Sequence, residues 1–213
     1  MYPIEPSKFE TNPFNKEWID KDFFHSPDGS KEFPEHHCKL TYVKSSPFIS
    51  TRRNAIDVGA RDGEYTRYLH NDFNHVYCFE YRRRKLFHMN VDLNKVTHFK
   101  CALGEEHKVI DVSGGGSITS SSIPKEKWRK EKIYTLDSFE LPDIDYIKID
   151  VDGFELRVLM GATKTIQQYK PLVVLEAERG ERSAIDYLES NFNYKIVAWD
   201  NAQRNVVMKH KEK

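Results

Sequence analysis

Four acids sit at or beside the ends of short apolar runs in this 213-residue chain: Asp57, Glu80, Asp150 and Glu176. Lys148 stands two residues before the third of them. Acids in such places can grip hydroxyls, bind cations or take up a proton. After Asp57 come Gly59 and Gly63, four residues apart, and then the start of a helical pattern. Gly59 can take a positive φ or let a ligand approach the backbone, Gly63 lets the turn pass into the helix, and the amides at the helix start can meet a polar group. Asp57 would repel a phosphate. It suits a cofactor that carries a positive charge or an ammonium group, and S-adenosylmethionine has both. A tight turn with no ligand is the bland alternative, and the glycine pair gains its weight from the motifs downstream of it.

The run Asp145–Val151 reads as a central strand with Ile147, Ile149 and Val151 on one face and Tyr146, Lys148 and Asp150 on the other. A lysine there is costly unless a carboxylate neutralises it, and Asp57, Asp150 and Glu176 are the candidates if their strands are neighbours. The functional reading is a cluster of acids and one base around a reactive centre; the structural one is a lysine that snorkels from a sheet end. Glu80 comes one strand–helix unit after Asp57, where an acid can accept both hydroxyls of a ribose. Ala102 and Leu103 close a third apolar run and would line an adenine pocket.

Strand and helix patterns alternate from residue 54 onward. The expected strands are Ala55–Val58, Val76–Phe79, Val96–Leu103, Lys108–Val112, Asp145–Val151, Pro171–Glu176, Tyr194–Trp199 and Asn205–Met208, with helices at Glu64–His70, Arg82–Asn90, Phe154–Tyr169 and Glu181–Ser190. This is an α/β, Rossmann-like pattern: a mostly parallel sheet, mixed by a closing antiparallel hairpin, with helices on both faces. Residues 1–50 lack clean periodicity and hold six of the nine prolines. They read as an extension that packs on the domain of residues 51–213 and covers the site's mouth or makes an oligomer contact. His36-His37-Cys38 within it is a weak candidate for a metal, since adjacent residues rarely ligate one ion together.

Bulk properties exclude little. Charges balance at 33 basic against 33 acidic, which offers nothing to nucleic acid or anionic membrane. Three cysteines, with Cys78 and Cys101 in apolar runs, fit a reducing, cytoplasmic setting. Neither a secretory leader nor a membrane span is expected. The basic runs Arg82–Lys85 and Lys125–Lys132 could meet phosphates of a nucleotide-sugar or nucleic acid, or be solvated helix faces. Gly114–Ser122 reads as an acceptor-side lid or a surface loop.

Taken together, Asp57 to Thr66, Cys78-Phe79-Glu80, Thr135-Leu136-Asp137-Ser138, Ile147 to Glu155, Val158 to Ala162 and Pro171 to Glu176 resemble the FkbM-type methyltransferases from about residue 54 to 178. Arg61-Asp62 and Asp152 depart from the family's usual residues. The resemblance implies a class I, S-adenosylmethionine-dependent O-methyltransferase with a seven-stranded sheet, acting on hydroxyls of sugars (a glycan or nucleotide-sugar) or of polyketide-type products. Carried over by position, Asp57, Gly59, Gly63 and Thr66 would hold the methionine end, with Ala60, Arg61, Tyr65 and Tyr81 as neighbouring cofactor contacts. Glu80 would take the ribose, Ala102 and Leu103 the adenine, and Asp150 would lie beside the methyl group.

A hydroxyl acceptor must lose its proton during attack, to a base or with the help of a metal ion. Asp150 is the first choice as base or ligand, and Glu176 could complete an oxygen-rich site for magnesium or a similar cation. Lys148 could instead orient the acceptor, or be the base if burial lowers its pKa. Three rival functions compete with this one. A dehydrogenase using NAD would have a glycine where Arg61 stands. A ribose 2′-O-methyltransferase shares the cofactor site, and neutral charge argues against it. A scaffold without turnover would not need acids at every strand end.

Overall fold

A computed structural model describes residues 1–32, 36–82, 85–112, 129–177, 181–200 and 204–213. The Gly114–Ser122 segment, Arg83, Arg84 and the hairpin residues 201–203 lie outside the described residues.

The front of the chain holds α1 (Glu17–Asp20), a small ribbon of β1 (Phe23–Phe24) with β2 (Lys31–Glu32), and α2 (His37–Ser45). The main strands come after it: β3 (Asn54–Val58), β4 (His75–Phe79), β5 (Val96–Phe99), β9 (Ile144–Ile149), β10 (Leu172–Glu176), β11 (Tyr194–Trp199) and β12 (Asn205–His210). They form a seven-stranded sheet in the order β11-β12-β10-β9-β3-β4-β5. β9 pairs in parallel with β3 and β10, and β12 is antiparallel to both its neighbours. Alternation splits the core as the period of a strand demands. Ile56, Val58, Ile147, Ile149, Val173 and Leu175 enter one buried cluster, and Ala55, Tyr146, Leu172 and Val174 enter the other.

The helices differ from the expectation in detail. α3 (Thr66–Asp72) starts two residues late because Gly63 at φ 87° holds the chain in a turn. The expected Arg82–Asn90 helix is cut to α4 (Phe87–Asn90). Phe154–Tyr169 divides into α5 (Glu155–Met160) and α6 (Thr163–Tyr169), broken at Gly161, where a Cβ would lie 2.0 Å from the Gly104 carbonyl oxygen. α7 (Ser183–Phe192) lies where the pattern predicts a helix. Among the described residues, no helix is long and apolar enough to cross a membrane.

The third apolar run is two strands. β5 stays in the large sheet, while β6 (Ala102–Leu103) joins β7 (Lys108–Val112) and β8 (Arg129–Tyr134) in a separate three-stranded sheet. The break falls at Lys100-Cys101, where the Cys101 amide turns back to the Phe99 carbonyl at 3.1 Å. β8 takes up the end of the second basic run, so residues 129–132 are strand rather than the expected helix face.

Residues 1–50 are tied to the rest at several places. α2 packs against the sheet: Ser45 Oγ lies 2.8 Å from Tyr146 Oη, which is 2.5 Å from Tyr65 Oη. The Arg67 guanidinium donates to the carbonyls of Trp18 and Phe23. The Ser7 amide donates to the His98 carbonyl on edge strand β5 at 2.7 Å. Covering an open edge in this way removes unpaired backbone groups.

Gly59 locks the strand ends together. Its φ is 86°, and a Cβ would come within 1.9 Å of the Asp150 carbonyl oxygen. The turn after β3 is therefore pressed against the end of β9. Gly59→Ala is expected to destabilise the fold by more than about 1 kcal/mol, because both the positive φ and the backbone contact oppose a methyl group. Urea denaturation measures this, and an unchanged midpoint would show that the two strand ends are not interlocked.

Candidate active site

A cavity of about 240 Å³ opens at the carboxyl ends of β3, β4 and β9, where a doubly wound sheet places its ligands. One wall is apolar: Phe79, Cys101, Ala102, Leu103 and Phe154. The other is polar and carries Glu80, Arg61, Asp150 and Asp152. Gly59, Tyr81 and Arg82 complete the parts that matter here.

Glu80 is buried and rigidly set. Its Oε1 accepts the Arg82 amide at 2.8 Å and its Oε2 accepts the Arg61 amide at 3.1 Å. A carboxylate accepts only, so a side chain held in this way presents acceptors to the cavity. On the opposite side, Asp150-Val151-Asp152-Gly153 turns back over the cavity with Asp152 at φ 55° and Gly153 at φ 88°. Glu155 Oε1 fastens that turn by accepting the amides of Val151 at 3.0 Å and Gly153 at 3.3 Å. Phe154 comes next and packs with Ala102 and Ile133, so the motif's turn also builds the apolar wall.

Lys148 lies under this turn and its side chain is only 3% exposed. Its Nζ donates to Asp150 Oδ2 at 3.1 Å, Asn205 Oδ1 at 2.9 Å and the Ile149 carbonyl at 3.4 Å. An ammonium has three donors, and all three are used. The Tyr65 ring lies 5.6 Å from the same nitrogen. Asn205 Nδ2 donates onward to Asp200 Oδ2 at 2.7 Å, which also receives the Thr41 hydroxyl of α2 at 3.2 Å.

The acids around Lys148 separate in their protonation. Burial alone would raise Asp150, but the Lys148 ammonium and a hydrogen bond from Glu176 outweigh it and hold Asp150 below the usual carboxylate range. Burial, the Asp150 charge and the shared hydrogen bond push Glu176 up to about 8. The pair is thus an ionised carboxylate beside a carboxylic acid, as like charges in contact require. Burial raises Asp57 to about 6, partly offset by the Thr66 hydroxyl, which donates to Asp57 Oδ2 at 2.6 Å, and by Lys148.

The cavity gathers Gly59, Arg61, Glu80, Tyr81, Ala102, Leu103 and Asp150 from the residues singled out in the sequence. Asp57, Ala60, Gly63, Tyr65 and Thr66 are not in its lining; they stand behind it, Asp57 being 1% exposed. Lys148 and Glu176 also lie outside the lining and touch Asp150 from below. Sequence reasoning missed Phe154, Asp152 and Arg82 as wall residues. The first two lie in the Asp150–Glu155 block itself, where a turn between strand and helix was available as a clue. His37, singled out in the sequence only as part of the weak metal candidate, lies within electrostatic reach of Asp150, Lys148, Arg61 and Arg204.

Two metal expectations can be set against the geometry. Among the described residues, the group able to surround an ion is His36-His37-Cys38, with ligand atoms within 4.8 Å of one another. Arg61 and Arg67 act on His36, and burial keeps the Cys38 thiol protonated, neither of which suits a cation. Asp150 and Glu176 share a hydrogen bond and Lys148 holds Asp150, so the expected magnesium ligands are occupied with each other.

The residues present do fit S-adenosylmethionine. Glu80 offers an acceptor pair for ribose hydroxyls, the apolar wall suits a purine, and Asp150 and Asp152 suit a cationic sulfur. The sequence profile of the methyltransferase FkbM domain matches residues 57–199. A methyltransferase FkbM from Methylobacillus flagellatus KT superposes with a TM-score of 0.52 at 19% identity, over 74% of this chain and 43% of that one. This chain therefore spans less than half the length of that protein. A precorrin 8w decarboxylase from Methanobacterium thermoautotrophicum gives a TM-score of 0.51 at 14% identity over 89% of this chain and 92% of that one. A precorrin-6y C5,15-methyltransferase from Geobacter metallireducens GS-15 gives 0.50 at 15% identity, over 89% and 92%. At such identities the likeness is one of fold. Among curated proteins, none matches the chain by sequence.

Glu176 provides a stability test. Its folded pKa lies above the ordinary 4.5, so the native chain holds the extra proton. The stability this contributes is full below the unfolded value and is lost as pH rises through about 8. Glu176→Gln keeps a hydrogen-bond donor and removes the titration. Between about pH 5 and pH 8 the variant should lose less stability with rising pH than the parent, since the other titrating groups are common to both. An identical slope would mean that Glu176 holds no proton in the folded state.

Proposed function

Because this chain belongs to the FkbM methyltransferase family, we propose that it moves a methyl group from S-adenosylmethionine to a hydroxyl of a sugar, in a glycan or a nucleotide-sugar. The observation that carries the oxygen-directed reading is the state of Asp150: an ionised carboxylate in the cavity wall, backed by a lysine and by a neutral Glu176. A hydroxyl is a poor nucleophile until its proton has somewhere to go, and Asp150 provides the place. The sugar part of the reading rests on the family resemblance and on the polar mouth formed by Asp150, Asp152 and Arg61, which offers acceptors and donors to several hydroxyls at once.

S-adenosylmethionine supplies an activated methyl group on a good leaving group, so alignment and proton removal are what the protein must add. In this reading Glu80 holds the ribose, and Phe79, Ala102, Leu103 and Phe154 enclose the adenine. Gly59 and Arg61 flank the middle of the molecule. Asp57, Thr66, Gly63, Tyr65 and Ala60 act from behind by fixing the turn between β3 and α3. Lys148 keeps Asp150 ionised and oriented; its own donors are spent, which leaves Asp150 as the base. The Glu176 proton keeps a second negative charge from forming beside Asp150. A divalent cation has no part in this scheme.

Asp150→Asn, assayed with S-adenosylmethionine and a panel of sugars and nucleotide-sugars, should lower turnover by about 10²–10⁴-fold, the usual worth of a general base. Binding of S-adenosylhomocysteine should survive. Full turnover in the variant would remove Asp150 from the chemistry. Methylation of non-sugar hydroxyls alone would reassign the acceptor.

A further inference from the structure

A second concave surface lies beside the cofactor cavity, on the far side of Arg82. It is a groove of about 640 Å³ lined by residues from three separate parts of the chain. The N-terminal strap gives Lys8 and Phe9, the segment after β4 gives Arg82, Lys85 and His88, and the end of β5 gives His98 and Lys100. Glu10 is a carboxylate on its rim. Lys8, Lys85 and Lys100 make no ion pair with any described carboxylate. Like charges gathered without partners repel one another, and such an arrangement is stabilised by an anion.

The groove is built rather than incidental. The Ser7 amide and hydroxyl both engage His98, at 2.7 Å to its carbonyl and 2.8 Å to Nδ1, which fixes the strap against the edge strand. Phe9 stacks on Phe87 at 5.7 Å and on His88 at 6.0 Å, and meets the His98 ring edge-on at 5.7 Å. His98 is 6% exposed, and its Nε2 is buried with no hydrogen-bond partner. The Phe87 ring at 4.6 Å and the Phe9 ring at 5.7 Å pack against the imidazole, so the groove has a fixed apolar floor.

We infer that this groove is an anion site that takes an oligophosphate, of the kind a nucleoside diphosphate carries. Several ammonium groups suit a ligand with more than one negative charge. The half-buried Phe9 ring adds apolar surface that a bare inorganic anion does not need and a nucleoside does. Arg82 joins the two sites: it lines both, and its amide holds Glu80 in place in the cofactor cavity. The site does not rest on methyl transfer, since its ligand is recognised by charge outside the cofactor cavity.

Calorimetric titration of the full chain at low salt with pyrophosphate and with a nucleoside diphosphate tests this. Both should bind; tighter binding of the nucleotide assigns the ligand to a nucleotide, and equal binding assigns it to the free oligophosphate. The double variant Lys85→Ala/Lys100→Ala should weaken both at least tenfold, and Lys8→Ala by less. S-adenosylhomocysteine affinity should stay unchanged in all of them, which also reports that they are folded. Three outcomes overturn the assignment: no binding to the parent chain, binding untouched by the double variant, or capture of a single-stranded RNA through these lysines while both oligophosphates fail.

Discussion

A buried ammonium in the middle of a parallel sheet is the constraint around which this molecule is arranged. Lys148 cannot reach water from its place on β9, and a charge in that position must be matched by acceptors or it costs several kcal/mol. The acceptors come from three directions: Asp150 at the strand's own end, a backbone carbonyl, and Asn205 on the antiparallel strand. Asn205 is held in turn by Asp200, and Asp200 by Thr41. A single charge thus links the cavity wall to the closing hairpin and to α2. It also explains why two neighbouring acids differ, since one is held ionised and the other keeps its proton.

The other end of the cavity obeys different physics. There the fixed element is Glu80, held by two backbone amides, and the remaining wall is apolar. The two ends meet across Gly59, whose missing side chain lets the turn after β3 lie against the end of β9. Charged chemistry at one end and apolar enclosure at the other are thereby held at a set separation by backbone contact.

Much of this was legible in the sequence because strands and acids coincide there. The alternation in Asp145–Val151 predicted the two faces of β9, and the registers Asp57 to Lys148 and Lys148 to Val174 place the strands side by side as the charge argument required. What escaped the sequence escaped for physical reasons. α2 has apolar and polar residues on all sides, so periodicity does not reveal it, yet the hydroxyls of Thr41 and Ser45 are what join it to the core. The start of β8 reads as a basic face because Lys130 and Lys132 are exposed while its pairing is backbone to backbone. The split at Lys100-Cys101 is marked only by one exposed lysine, which a strand edge can also carry. Asp57 was legible as a key acid but not its placement, which depends on Thr66 reaching back from α3.

Everything proposed for the cavity depends on its holding S-adenosylmethionine with Glu80 as the ribose acceptor. Calorimetric titration with S-adenosylhomocysteine, set beside NAD and repeated on Glu80→Ala, tests that most directly. The predicted result is saturable S-adenosylhomocysteine binding that falls at least tenfold in the variant, and no binding of NAD. Binding of NAD alone, or S-adenosylhomocysteine binding indifferent to Glu80, would contradict it.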